Sequence, residues 1–153
     1  MDTESRELYA LNLAGFSEAQ KLLASRALRK AREVFGPHHP SIPQCLLKLA
    51  RHYEGQGHSP YAEILFRLAV GLLERLPNSQ VEMVQTLIAV GRFYYAQGRY
   101  SAAQVYFTRA ITMDEEAFWE SQKGGLVNLT ELAQAYVFHK ACADRMFHRD
   151  STR

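Results

Sequence analysis

Between Leu87 and Ala110 the chain reads LIAVGRFYYAQGRYSAAQVYFTRA, and its apolar and small positions change phase once. Leu87, Val90, Gly91 and Tyr94 keep the i, i+3, i+4, i+7 spacing of one helix face, and Ala103, Tyr106, Phe107 and Ala110 keep it again. Gln97-Gly98-Arg99 stands between them, and Gly98 reaches positive φ without a Cβ clash, so a helix is predicted to end there. Ser101 is placed to cap the second helix, unless that helix already begins at Tyr100. Gly91, Ala103 and Ala110 permit close approach, while Tyr94 and Phe107 fill the space between. The stretch reads as an αα-hairpin.

The same punctuation runs along the whole chain. Residues 2–13 carry Leu8 and Leu11 at helical spacing behind an acidic first turn, and Gly15 stops them. Ser17 is the expected N-cap of a helix reaching about Val34, with Leu22, Leu23, Ala27 and Ala31 inward. FGPHHP at 35–40 is a loop. Ser41 is expected to cap the next helix, which holds Pro43 in its first turn and Leu46, Leu49, Ala50 and Tyr53 inward. Ser59-Pro60 opens another helix, with Ala62, Leu65, Phe66, Ala69 and either Leu72 or Leu73 inward. After a break at 76–79 comes the hairpin, whose second helix extends through Met113 toward Phe118. Residues 121–125 break the chain again, and a last helix runs from near Leu126 to about His148, with Leu129, Leu132, Ala133 and Tyr136 inward. Period-two alternation is absent. The pattern predicts an all-α fold of about seven helices in a single domain over residues 1–153. Its helix pairs span about 4–35, 41–76 and 79–119, and a closing helix spans about 125–148.

Laid in register, LKLARHYEGQGHSPYAEILFRLAV and IAVGRFYYAQGRYSAAQVYFTRAI align without a gap. Ala50 falls on Gly91, Arg51 on Arg92, Tyr53 on Tyr94, Gly57 on Gly98, Ala62 on Ala103, Phe66 on Phe107 and Ala69 on Ala110, an offset of 41 residues. Ala133 stands 42 residues beyond Gly91, and Gly15 the same distance before Gly57. The small residue of the first helix, the Tyr three positions on, and the Ala, Phe and Ala of the second resemble the tetratricopeptide repeat, whose usual period is about 34 residues. The longer spacing and the Gly36, His39 and Pro40 linker resemble the kinesin light chain type of that repeat. The linker occurs once; LPNS at 76–79 and the segment at 119–125 stand at the later junctions. The resemblance covers roughly residues 8–137. It implies a right-handed superhelical array of antiparallel helix pairs, an α-solenoid.

In such an array the first helix of each pair lines a concave groove. With Ala50, Gly91 and Ala133 turned inward, a step of about 100° per residue puts Gln44, Leu47, Lys48, Arg51 and Glu54 on the groove face of the first such helix. Gln85, Ile88, Ala89, Arg92 and Tyr95 follow on the second, and Val127, Thr130, Glu131, Gln134 and Val137 on the third. Arg51 and Arg92 share one repeat position, and with Lys48 they form an expected basic ledge suited to carboxylates. The candidate peptide-binding set is therefore Gln44, Leu47, Lys48, Arg51, Gln85, Ile88, Arg92, Tyr95, Glu131 and Gln134. The alternative is that the charges are solvated, or paired internally with Glu54 and Glu131.

Composition narrows the function classes. Lys and Arg number 18 against 16 Asp and Glu, for a formal charge of +2, too balanced for a nucleic-acid binder recognised by charge alone. No apolar run approaches the roughly 18 residues of a membrane span. The acidic start lacks a signal-peptide pattern, so a cytoplasmic setting is expected. Cys45 and Cys142 form no metal or redox spacing. His38 and His39 are adjacent and cannot share a helix face; His39 is expected to pack or cap within the linker. His139 and Cys142 could share a face, yet two ligands do not close a zinc site. Without a phosphate loop, a nucleophile elbow or a His-Glu-x-x-His motif, no catalysis, metal or cofactor is expected.

Tyr136, Val137, Phe138, Met146 and Phe147 make the last helix apolar over a wide angle, with Phe118 and Trp119 near its start. It either folds back to complete the last repeat or offers a surface to a partner or a second copy. Two main readings follow: an adaptor binding a short, partly acidic peptide of another protein in the groove, or a structural module that self-assembles through its terminal helices or convex face. A third, weaker reading is a regulatory domain taking a small ligand or nucleic acid on the basic ledge.

Overall fold

The computed structural model describes Arg6, Leu13, residues 15–121 and residues 129–151. Six helices are described: α1 (Glu18–Phe35), α2 (Ile42–Gly55), α3 (Ser59–Arg75), α4 (Gln80–Ala96), α5 (Tyr100–Ser121) and α6 (Leu129–Ser151). No strand occurs among the described residues. Apart from Arg6 and Leu13, the expected first helix over 2–13 lies outside them, as do groove residue Val127 and the expected start of the last helix near Leu126. The chain divides into two compact units, Met1–Pro77 and Asn78–Arg153.

In the first unit, α2 and α3 pack as a hairpin and α1 lies against both. α1 starts at a capping box: the Gln20 amide donates to Ser17 Oγ at 3.3 Å, and the Ser17 amide donates to Gln20 Oε1 at 2.9 Å. Gln20 Nε2 also donates to the Pro60 carbonyl at 2.7 Å, which ties the start of α1 to the start of α3. Ser17→Ala should cost about 1 kcal/mol of stability, read as a lowered denaturant midpoint with an unchanged m-value; an unshifted midpoint would show that the box contributes nothing.

The inward face of α1 is Ala24, Leu28 and Ala31 with Ser25 beside them, whereas Leu22 is 53% exposed. The expected stripe placed Leu22 inward; the buried stripe instead runs through Ala24, Leu28 and Ala31, and Leu23 and Ala27 are only half-buried. Ser41 precedes α2 but makes no side-chain cap. Its amide donates to His39 Nδ1 at 3.1 Å, and the His39 ring stacks on Phe35 at 5.5 Å. The linker histidine therefore does the work expected of the serine.

Both hairpins turn through the same backbone device. Gly57 (φ +77°) and Gly98 (φ +74°) take the left-handed conformation that a side chain resists. The Gly57 amide donates to the Glu54 carbonyl and the His58 amide to that of Tyr53; Gly98 to Tyr95 and Arg99 to Tyr94 repeat the pair. Each is a Schellman closure, and Tyr53 and Tyr94 stand at the same place in it. Tyr100 lies inside α5, so Ser101 is not its cap; the Ser101 hydroxyl instead donates to Met146 Sδ at 3.3 Å.

In the second unit, α4 and α5 pack as a hairpin that α6 closes. α4 is buried over most of its circumference, including Val84, Leu87, Val90 and Tyr94. Gly91 faces Phe107: a Cβ there would stand 2.8 Å from the ring. Phe107 is fully buried and stacks on Phe138 of α6 at 5.6 Å and 8°. The register of α6 departs from the repeat spacing. Ala133 and Tyr136 are exposed, Leu132 is half-buried, and the fully buried residues are Ala135 and Cys142. The stripe that fills best against the α4–α5 hairpin passes through Ala135, Phe138 and Cys142. Burial pushes the Cys142 thiol pKa up.

Candidate functional site

The ten expected groove residues sort by exposure. On α2, Lys48 and Arg51 are exposed one turn apart, Gln44 is half-buried, and Leu47 is buried at 5%. On α4, Gln85 and Arg92 are exposed, Tyr95 is half-buried, and Ile88 is buried at 6%. On α6, Gln134 is exposed and Glu131 half-buried. Leu47 and Ile88 are therefore core rather than contact surface, because the apolar stripes of α2 and α4 are wider than a one-sided helix needs.

The second unit builds a polar and aromatic cluster around Arg92 and Tyr95. The Arg92 guanidinium lies 5.9 Å from the centre of the Phe138 ring. Tyr95 packs edge-on to Phe138 at 5.0 Å and to Tyr100 at 5.2 Å. Arg145 of α6 lies over both tyrosines, 5.6 Å from Tyr95 and 5.4 Å from Tyr100, and its Nη1 donates to the Tyr100 hydroxyl at 3.1 Å. That hydrogen bond is the main cause raising the Arg145 pKa. Cation–π contacts of this kind fix the approach of α6 to the α4–α5 hairpin and hold Arg92 beside an aromatic face.

Next to Phe138, α6 lines a shallow depression of about 440 Å³ with Thr130, Ala133, Gln134 and Val137. The site thus sets one exposed guanidinium beside apolar surface, which suits an acidic group followed by an apolar side chain. At the other edge of α6, Tyr136 donates its hydroxyl to Glu115 Oε1, and this bond raises the Tyr136 pKa. Phe138 and Arg145 were not among the sequence-derived site residues. Phe138 was legible only as part of an apolar helix, and Arg145 carried no periodic signal because its role depends on how α6 is rotated.

Among the described residues, no group of three His, Cys, Asp or Glu side chains is placed to hold a metal ion. No described helix is long and apolar enough to cross a membrane.

Helix hairpins that repeat the same glycine turn, with buried Ala50 and Gly91 and buried Phe66 and Phe107 at equivalent positions, define a helical-repeat protein. Residues 84–118, most of α4 and α5, match the family model of the tetratricopeptide repeat, so the chain carries that repeat. Such repeats generally mediate protein–protein interactions. No curated protein and no solved structure matches the chain.

Proposed function

We propose that the chain is a protein-interaction adaptor that binds short, partly acidic peptide segments of a partner, in a cytoplasmic setting and without catalysis. The observation that carries this reading is Arg92, exposed on the repeat helix α4 and held over Phe138 beside the apolar depression of α6. Lys48 and Arg51 offer a second basic face on α2 of the first unit. The 41-residue offset supports reading the repeat as the longer, kinesin light chain variety.

The test uses an array of acidic peptides with one or two apolar residues. Arg92→Glu should weaken binding of the selected peptides at least about tenfold, since a charge-assisted contact becomes a repulsive one. Far-UV circular dichroism should be unchanged, because Arg92 is exposed. Undiminished binding by the Arg92→Glu protein would place the peptide elsewhere.

A second reading, self-assembly, is favoured by apolar side chains left exposed at the end of α5 and along α6. Trp119 is 75% exposed, Phe147 72% and Val137 67%. Light scattering over a concentration series separates the readings: a strictly monomeric chain rejects assembly.

A further inference from the structure

The first unit contains a cleft of about 400 Å³ that takes no part in the basic face of α2. It lies where the end of α1, the linker, the start of α2 and the end of α3 meet. Its floor is apolar, formed by Leu28, Ile42 and Pro43, all buried. Its upper wall carries Arg32, Arg75, His38 and His39, and no acidic residue lines it among those described. Arg32 is engaged in interactions within the protein, so Arg75 and the two histidines are the groups to consider for a ligand.

His39 is already oriented. Its Nδ1 accepts from the Ser41 amide, and its ring is held against Phe35, so the neutral ring carries its proton on Nε2 as a donor. Arg75 and His38 are exposed and can turn toward an occupant. The amino-terminal end of α2 adds a positive potential of the same sign. The volume falls within the range of small-molecule pockets, and an apolar floor below convergent donors is their usual chemistry.

We propose that this cleft binds a small amphipathic acid: an aliphatic body on Leu28, Ile42 and Pro43, with its anionic head at Arg75 and the His38–His39 pair. The apolar floor explains why a bare inorganic anion would be a poor occupant, and the missing carboxylates explain why a cation would be. The site is separate from the peptide surface, since none of its lining residues belongs to the ten groove candidates.

Octanoate is a direct probe, with octanol as the partner that keeps the body and lacks the charge. Octanoate titrated into the full ¹⁵N-labelled chain should give saturable amide shifts at His38, His39, Ile42, Leu72, Arg75 and Leu76. Octanol should shift the same amides with at least about tenfold weaker affinity, and Arg75→Gln should weaken octanoate by about the same factor while leaving octanol unchanged. Arg75 is exposed, so the variant keeps its fold, checked by its unchanged spectrum elsewhere. Equal affinities for octanoate and octanol, an Arg75→Gln protein that binds octanoate undiminished, or shifts confined to α5 and α6 would each overturn the assignment.

Discussion

Phe107→Ala is expected to destabilise the second unit by about 3–5 kcal/mol, the largest effect of any single truncation considered. The ring is fully buried, lies against the backbone of Gly91, and stacks on Phe138. Its removal leaves a void that neither neighbour can close: Gly91 has no side chain to move, and Phe138 is also held by Tyr95 at 5.0 Å. Stacking adds about 0.5–1.5 kcal/mol to the area lost, which places the variant toward the upper part of that range. Urea unfolding followed by hydrogen exchange should show the protection lost in α4 to α6. A loss below about 1 kcal/mol would mean that the Gly91–Phe107–Phe138 sandwich is not the core of the unit.

The second large effect is the converse change, Gly91→Val. An added Cβ would stand 2.8 Å from Phe107, closer than real Cβ atoms approach, and the ring cannot retreat past Phe138. Overpacking of this kind costs about 1–3 kcal/mol. For Gly91→Ala the gain in helix propensity, about 1 kcal/mol, offsets part of that cost, so a small net loss is expected. Valine brings two more carbons and a weaker propensity gain, so the upper end, about 3 kcal/mol, is expected there. Gly55→Ala is the control: a Cβ at Gly55 meets nothing within 4 Å, so no steric loss should accompany it.

The pair also supports a double-mutant cycle. Phe107→Ala makes room for the valine side chain, so Gly91→Val combined with Phe107→Ala should cost clearly less than the sum of the single changes. Strict additivity would show that Gly91 is small for a reason other than this ring.

Legibility in the sequence followed periodicity. The two hairpins expected at about 41–76 and 79–119 are found at 42–75 and 80–121, and their glycine turns and the inward roles of Ala50, Gly91, Phe66 and Phe107, which follow from spacing, are borne out. So is the packing role of His39 in the linker, although the serine assigned to cap α2 yields to it. Where periodicity was ambiguous, errors followed. Leu22 fits an inward stripe with Leu23, Ala27 and Ala31 when only hydrophobicity is counted, yet α1 buries Ala24, Leu28 and Ala31 and leaves Leu22 exposed. Ala133 fits the 42-residue offset but lies exposed, since α6 is rotated to bury Ala135 and Cys142 against the hairpin.

The candidate site shows the same division more sharply. A 100° step places Arg92 and Tyr95 on one face, and the structure keeps them there, Arg92 exposed and Tyr95 half-buried. That step carries no information on how wide the buried stripe is, so Leu47 and Ile88 were assigned to a groove though both are core. Nor does it name what crosses from another helix, which is how Phe138 and Arg145 come to Arg92 and Tyr95.

The sequence by itself determined the helices, their turns and the residues where backbones come close. Those are local properties: spacing of about 3.6 residues, a glycine at positive φ, and a small residue opposite a large one. Only the tertiary structure decided the rotation of α6, the closed stripes of α2 and α4, and the cation–aromatic cluster around Tyr95. Each depends on the angle at which one helix meets another, and that angle is set by the summed fit of many side chains rather than by any one position.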